Sequence, residues 1–119
     1  MLSDGDISRI VDRIVGRQKP LVAGTFGSYA VGTARAGSDL DLFVIKDGAE
    51  RPLARRHAIE RILFSVLHPL DIHVFTPEEF EDTAYEALSF AWVIARQARI
   101  YYATEEARRR VRSLFPDLV

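Results

Sequence analysis

Residues 23–45 read Ala-Gly-Thr-Phe-Gly-Ser-Tyr-Ala-Val-Gly-Thr-Ala-Arg-Ala-Gly-Ser-Asp-Leu-Asp-Leu-Phe-Val-Ile. A Gly-Ser pair, Gly27-Ser28, stands where an apolar run gives way to small residues, and near the end Asp39 and Asp41 alternate with Leu40 and Leu42. The apolar run from Phe43 to Ile45 makes Asp39 to Ile45 a strand. Its period of two sends Asp39 and Asp41 to one face and Leu40, Leu42 and Val44 to the other. At the rise of a strand the two aspartate α-carbons are about 6.6 Å apart, within reach of one cation or a pair of cations. Adjacent like charges repel and must shift their pKa values or find a counter-ion. A divalent metal is the economical reading.

The rest of the chain sets the frame. Its 119 residues, 48% hydrophobic, are enough for one compact domain with one core over residues 1–119 and too few for two. The net charge of -1 and pI near 6.3 exclude a global basic field, so nucleic acid is not an expected partner and any nucleotide contact must be local. With no cysteine, disulfides, thiolate metal sites and a cysteine nucleophile are excluded. The first residues lack the charged-then-apolar build of a signal peptide, and no apolar run approaches the roughly 20 residues of a membrane span. A soluble cytoplasmic protein is the expectation.

Around the opening stretch, periodicity and capping signals alternate. Ser3 with Asp6 reads as an N-cap and third helical position, followed by Ile7, Ile10, Val11, Ile14 and Val15 at helical spacing to about Gly16. Pro20 prevents continuation and Leu21 to Phe26 reads as a strand. Ser28 to Thr33 suits a helical turn, which puts Gly27-Ser28 at a strand-to-helix junction, and Ala34 to Gly37 turns the chain into the next strand. Lys46 to Pro52 is a polar turn around Asp47-Gly48. Leu53 to Leu67 reads as a helix with Ile59, Ile62, Leu63, Val66 and Leu67 on its apolar face and Arg55, Arg56, Glu60 and Arg61 off it, ended by His68-Pro69. Leu70 to Phe75 alternates again, with Asp71, His73 and Phe75 sharing a face. Thr76-Pro77-Glu78-Glu79 starts a helix, with a break near Asp82-Thr83 and continuation through Trp92 and Ala95. Ile100 to Tyr102 reads as a short strand. Thr104 caps a last helix, acidic at Glu105-Glu106, basic at Arg108 to Arg110 with Arg112, and stopped by Pro116. The expected fold class is α+β: a small mixed β-sheet of three to four strands with helices mainly on the apolar face, the aspartate face open as a cleft.

The constellation is a Gly-Ser pair at a helix start, a loop with one arginine, an Asp-x-Asp strand and an aspartate on a later strand. Backbone N–H groups at a helix start suit a phosphate, and glycine permits close approach. Three carboxylates on strands about 4.8 Å apart suit two Mg²⁺ ions roughly 3.5–4 Å apart. Together they describe a nucleoside triphosphate site.

Gly27-Ser28, ten residues, then Asp39-Leu40-Asp41-Leu42, resembles the signature of the polymerase-beta-like nucleotidyltransferase superfamily. The short chain looks most like the minimal nucleotidyltransferases, often encoded beside a helical HEPN-type partner as its antitoxin. The resemblance runs from the first strand through Asp71 to the Arg96–Tyr102 segment. It implies a nucleotidyltransferase fold and metal-dependent transfer of AMP from ATP to a hydroxyl, a tyrosine of a HEPN-type toxin. By analogy Asp39 and Asp41 bind two Mg²⁺ ions, and Asp71 completes the metal site and helps deprotonate the acceptor. Gly27 and Ser28 hold the β and γ phosphates, and Arg35 matches an arginine common in small members, placed to touch phosphate.

Each residue also has a plainer reading. Asp39 and Asp41 fit a solvated strand end, and Gly27-Ser28 fits an ordinary turn and N-cap; the combination with Asp71 favours the site. His73 on Asp71's face fits packing or hydrogen bonding, His57 and His68 fit surface and helix-end roles, Lys46 fits a solvated strand end, and Arg108 to Arg112 fit a solvated helix face. Trp92, Phe90, Tyr101 and Tyr102 fit core packing. Two functions compete with active transfer: a binding module that neutralises its partner by occlusion with a silent nucleotide site, and a small-molecule nucleotidyltransferase acting as a dimer. No segment supplies an acceptor-binding domain, so the acceptor must come from another chain or from a homo-oligomer.

Overall fold

The computed structural model describes residues 1–111 and 113–115. Ten elements follow in order: α1 (Asp4–Gln18), β1 (Val22–Phe26), α2 (Ser28–Val31), β2 (Leu40–Ile45), α3 (Pro52–Ile62), β3 (Leu70–Phe75), α4 (Pro77–Ala84), α5 (Phe90–Gln97), β4 (Arg99–Ala103) and α6 (Glu105–Arg110). The four strands form one mixed sheet in the order β3-β2-β1-β4. β1 is antiparallel to both β2 and β4, whereas β2 and β3 run parallel because α3 carries the chain back across the sheet.

The register sorts the sheet into rows. On one face Phe26, Asp41 and Asp71 lie abreast, then Gly24, Phe43 and His73, then Val22, Ile45 and Phe75. On the other, Leu42 and Ile72, then Val44 and Val74, pack against Ile7, Ile10, Val11 and Ile14 of α1 and Ile59 of α3. The first face is covered too: Phe43, Ile45 and Phe26 are buried with Phe80 of α4, Ala91 and Ile94 of α5, and Ala107 of α6. The expectation of helices mainly on one face is therefore corrected. Phe43 and Ile45 share the aspartates' face, and once they are apolar that face must be buried as well. Only its Asp41–Asp71 end stays open.

Glycine is required once within the sheet. A Cβ at Gly24 would run into the Arg99 carbonyl and sit 3.0 Å from the Phe43 ring, so its absence lets β4 close on β1 beside a register irregularity.

Most boundaries match their capping signals. Ser3 and Asp6 form a reciprocal capping box, as do Thr76 and Glu79, and Thr104 caps α6. Four readings change. β2 begins at Leu40, leaving Asp39 just ahead of it. α3 ends at Ile62, so Leu67 is 99% exposed. The break before α5 falls at Tyr85–Ser89. Arg55, read as lying off the apolar face, is 2% exposed and reaches Glu79 with an N···O distance of 2.7 Å. Arg112 and Pro116, assigned to the last helix and its stop, lie outside the described residues. No helix among the described residues is long and apolar enough to cross a membrane.

Arg55 is the one buried charge among the described residues, and its Nε and one terminal nitrogen find no partner. Glu79 is thus its sole counter-charge there. The Arg55 guanidinium, with help from Thr76, holds the Glu79 carboxyl below its ordinary value of 4.5. Glu79→Ala removes that counter-charge and half a capping box. We expect a loss of about 2 kcal/mol in urea unfolding, discounted from the buried-pair range because Glu79 is itself partly exposed. Arg55→Met, which removes the charge and keeps the stem, should cost less than Glu79→Ala. Because the folded value is depressed, the Glu79 contribution is complete above about pH 4.5 and disappears as acid protonates the folded carboxylate.

Candidate active site

The parallel pairing of β2 with β3 sets Asp41 directly beside Asp71, about 4.8 Å apart across the sheet. Asp41 is half-buried, and its carboxyl is pushed above its ordinary value by desolvation first, then by the charges of Asp71 and Asp39, with His73 opposing. Asp39 is exposed ahead of β2, yet close enough for its charge to be felt at Asp41. The three predicted carboxylates therefore share one end of the sheet, with Asp41 central.

Gly27 closes the other side of Asp41. Its backbone, φ 70 and ψ -151, lies in a region essentially reserved for glycine, and a Cβ there would collide with the Asp41 carboxylate. The Gly-Ser step is therefore the surface against which the central carboxylate rests. Ser28 then opens α2, whose first turn is closed by Ala30 and Val31 N–H groups donating to the Gly27 carbonyl. The Gly27 N–H is already used: it donates to Gln97 Oε1 at 3.2 Å. Gln97 was not singled out in the sequence, where it is one polar residue at the end of an amphipathic helix.

Arg35 sits in an exposed turn between α2 and β2, where its N–H donates to Ser38 Oγ and its carbonyl accepts from the Ser38 N–H. Among the described residues its guanidinium has no carboxylate partner. His68 is more than a helix-end residue: its Nε2 meets the Ser38 carbonyl at 2.9 Å, and its ring packs edge-on against Tyr29, bracing the turn that leads into Asp39. Lys46 lies at the far end of β2 from the aspartates and donates to Gln18. Arg108 pairs with Glu105, and Arg110 with Asp47 and Glu78, which commits these cations to the fold.

On the β3 side, His73 Nε2 lies 3.1 Å from Asp71 Oδ2. Ser89 caps α5, accepting from the Trp92 N–H, and so brings Phe90, the helix's first residue, against the His73 ring with centroids 4.2 Å apart. Phe26 meets the same ring edge-on at 5.4 Å. Trp92 instead carries the Arg96 guanidinium 4.0 Å above its ring.

The carboxylates offer only oxygen donors, which suits a hard divalent cation such as Mg²⁺. A central carboxylate destabilised by two like charges is a site where such a cation is favourable. Among the described residues no three His, Asp or Glu side chains are already gathered into a cage. The Asp41–Asp71 pair is set by the sheet, and Asp39 is the outlying member.

Comparison with known proteins bears on the family and the fold. The chain belongs to the nucleotidyltransferase domain family, whose model matches residues 7–114. No curated protein sequence matches it significantly. Among solved structures it is similar to a toxin–antitoxin crystal structure with AMP-PNP, at 18% identity and TM-score 0.60, covering 92% of this chain and 81% of that one. It is likewise similar to a mutant of the toxin–antitoxin MntA-HpeT in which two aspartates are replaced by glutamate, at 14% identity and TM-score 0.61, covering 97% and 82%. These structures share the fold: a mixed sheet flanked by helices.

Two stability measurements test the electrostatics and the steric contact. Because the folded Asp41 value is raised, the ionised side chain opposes folding at neutral pH. Asp41→Asn should therefore unfold at higher urea than the native protein at pH 7, and the gap should close as pH falls below the ordinary carboxyl value of 3.8. Gly27→Ala should cost about 2 kcal/mol or more from backbone strain and the Asp41 clash combined. Adding Asp41→Ala should recover the steric part, so a double-mutant cycle should show coupling of about 1 kcal/mol.

Proposed function

We propose that this chain, as a single minimal domain, transfers AMP from ATP to a hydroxyl of a partner protein, a tyrosine of a HEPN-type toxin, and so acts as an antitoxin. The observation that carries the reading is the parallel register that puts Asp41 abreast of Asp71 with Gly27 against the Asp41 carboxylate. Membership of the nucleotidyltransferase domain family and likeness to toxin–antitoxin structures, one of them with AMP-PNP, support it. A cytoplasmic setting belongs to the same reading and is supported by the lack of cysteine.

In this proposal Asp39 and Asp41 hold the metal ions, and Asp71 completes the set. Mg²⁺ bound there supplies positive charge at the α-phosphate and makes the acceptor hydroxyl more acidic. Asp71 takes the hydroxyl proton, the acceptor oxygen forms a bond to the α-phosphorus, and the bond to the β-phosphate oxygen breaks as pyrophosphate leaves. Gly27 and Ser28 bind the β and γ phosphates, and Arg35 reaches the same tail from its exposed turn. For the Gly27 N–H to serve a phosphate, Gln97 must release it. The protein's work is to position and to neutralise charge.

That occupied N–H, with the absence of a ready-made three-carboxylate cage among the described residues, favours a second reading in which the chain silences its partner by occlusion. One experiment separates the two. Incubated with its partner, Mg²⁺ and ATP labelled at the α-phosphate, the native protein should label the partner and add mass in steps of one AMP, and Asp41→Asn should abolish labelling while remaining folded. Full protection of cells by a variant with Asp39, Asp41 and Asp71 all changed to Asn would favour occlusion. Labelling of a small molecule by a dimer, with the partner untouched, would move the acceptor to that class.

A further inference from the structure

We infer that His73 is a positioning residue for Asp71, holding the third carboxylate in one orientation by a hydrogen bond from its own ring. The inference rests on the proposed metal-dependent reading of the carboxylates. His73 stands two residues after Asp71 on the same face of β3, and its Nε2 lies 3.1 Å from Asp71 Oδ2. The His73 side chain is only 16% exposed and that of Asp71 41%, so the bond ties the more exposed group to the more enclosed one. The ring in turn has little freedom. Phe90 lies tilted against it at 4.2 Å with planes 37° apart, and Phe26 meets it edge-on at 5.4 Å and 72°.

The consequence is geometric. With Nε2–H donating to Oδ2, the Asp71 carboxylate cannot rotate freely, and Oδ1 is the atom left for a cation or an acceptor proton. Without the bond, the Asp71 carboxylate would be free to turn about its side-chain bonds under the repulsion from Asp41, although the strands stay paired. A hydrogen bond that orients a metal-binding carboxylate typically changes metal affinity by tenfold or more. His73 thus fixes the orientation of the Asp71 carboxylate before any cation arrives, while the strand pairing keeps the two backbones side by side.

The test uses Mn²⁺ alone, titrated into the full chain and followed by the electron paramagnetic resonance of the free ion. His73→Phe keeps a ring between Phe90 and Phe26 but has no donor, and it should weaken Mn²⁺ binding about tenfold with little change in thermal unfolding. His73→Gln, which retains an N–H donor, should recover most of that loss. Equal binding by the native protein and His73→Phe would overturn the positioning role and leave the carboxylate site standing. Equal losses in Phe and Gln variants would also overturn it, because the hydrogen bond would not be the cause. Failure of the native protein to bind Mn²⁺, with Asp41→Asn indistinguishable from it, would instead overturn the metal reading on which the inference depends. A second readout needs no variant: ¹⁵N spectra of the native imidazole should show the proton on Nε2, and a ring protonated only on Nδ1 would sink the assignment.

Discussion

Two carboxylates held side by side by a parallel pair of strands are the constraint around which this molecule is built. The backbones of Asp41 and Asp71 cannot separate without breaking the β2–β3 register, and that register is held by the apolar rows below them. Phe43 is fully buried in the next row and Ile45 in the one after. The repulsion is therefore carried by packing energy, which at about 25 cal/mol per Å² of buried apolar surface far exceeds one partly solvated charge contact. A fold can hold such a pair only if the rest of the face is a good core. Here the helices α4, α5 and α6 complete that core and stop short of the carboxylates.

The same arrangement explains the loops. Gly27 has to be a glycine because the Asp41 carboxylate occupies the place of its Cβ, so the Gly-Ser turn and the central carboxylate share one steric contact. The turn before Asp39 is fastened by Ser38, which bonds Arg35 through both side chain and backbone and receives His68 on its carbonyl. Local hydrogen bonds of this kind give a loop one geometry where no core is available to do so. Asp39 is consequently delivered close to Asp41 although it lies outside the strand.

Much of this was legible in the sequence because short-range physics decides it. The alternation Asp-Leu-Asp-Leu, the strand Leu70–Phe75 with Asp71, and the caps at Ser3, Thr76 and Thr104 all depend on periodicity and on groups within a few residues. What escaped depends on distant partners. Arg55 looks like a surface arginine until Glu79, from a different helix, meets it. Gln97 is unremarkable until the antiparallel sheet brings it to Gly27, 70 positions away. Leu67 falls at a helical apolar position, but the helix ends at Ile62 and the period carries no information past that point. The coverage of both sheet faces could have been read from Phe43 and Ile45, since apolar residues on the same face as the aspartates demand a lid over that part of the sheet.

The distribution of polar groups along the aspartate face argues for a division of labour by row. The outermost row carries Asp41 and Asp71, the next carries His73, and the third is wholly apolar. Polarity thus falls with depth, and His73 is the one side chain that joins the two regimes, bonded to Asp71 above and enclosed by Phe90 and Phe26 beside it. Phe90 extends that aromatic patch outward, being 56% exposed, so the surface that adjoins Asp71 is apolar where the surface that adjoins Gly27 is built from small residues and backbone. The proposed transfer would bring a polyanionic tail and an incoming hydroxyl to these two different neighbourhoods of one carboxylate cluster. The chain provides both neighbourhoods in a sheet of four strands.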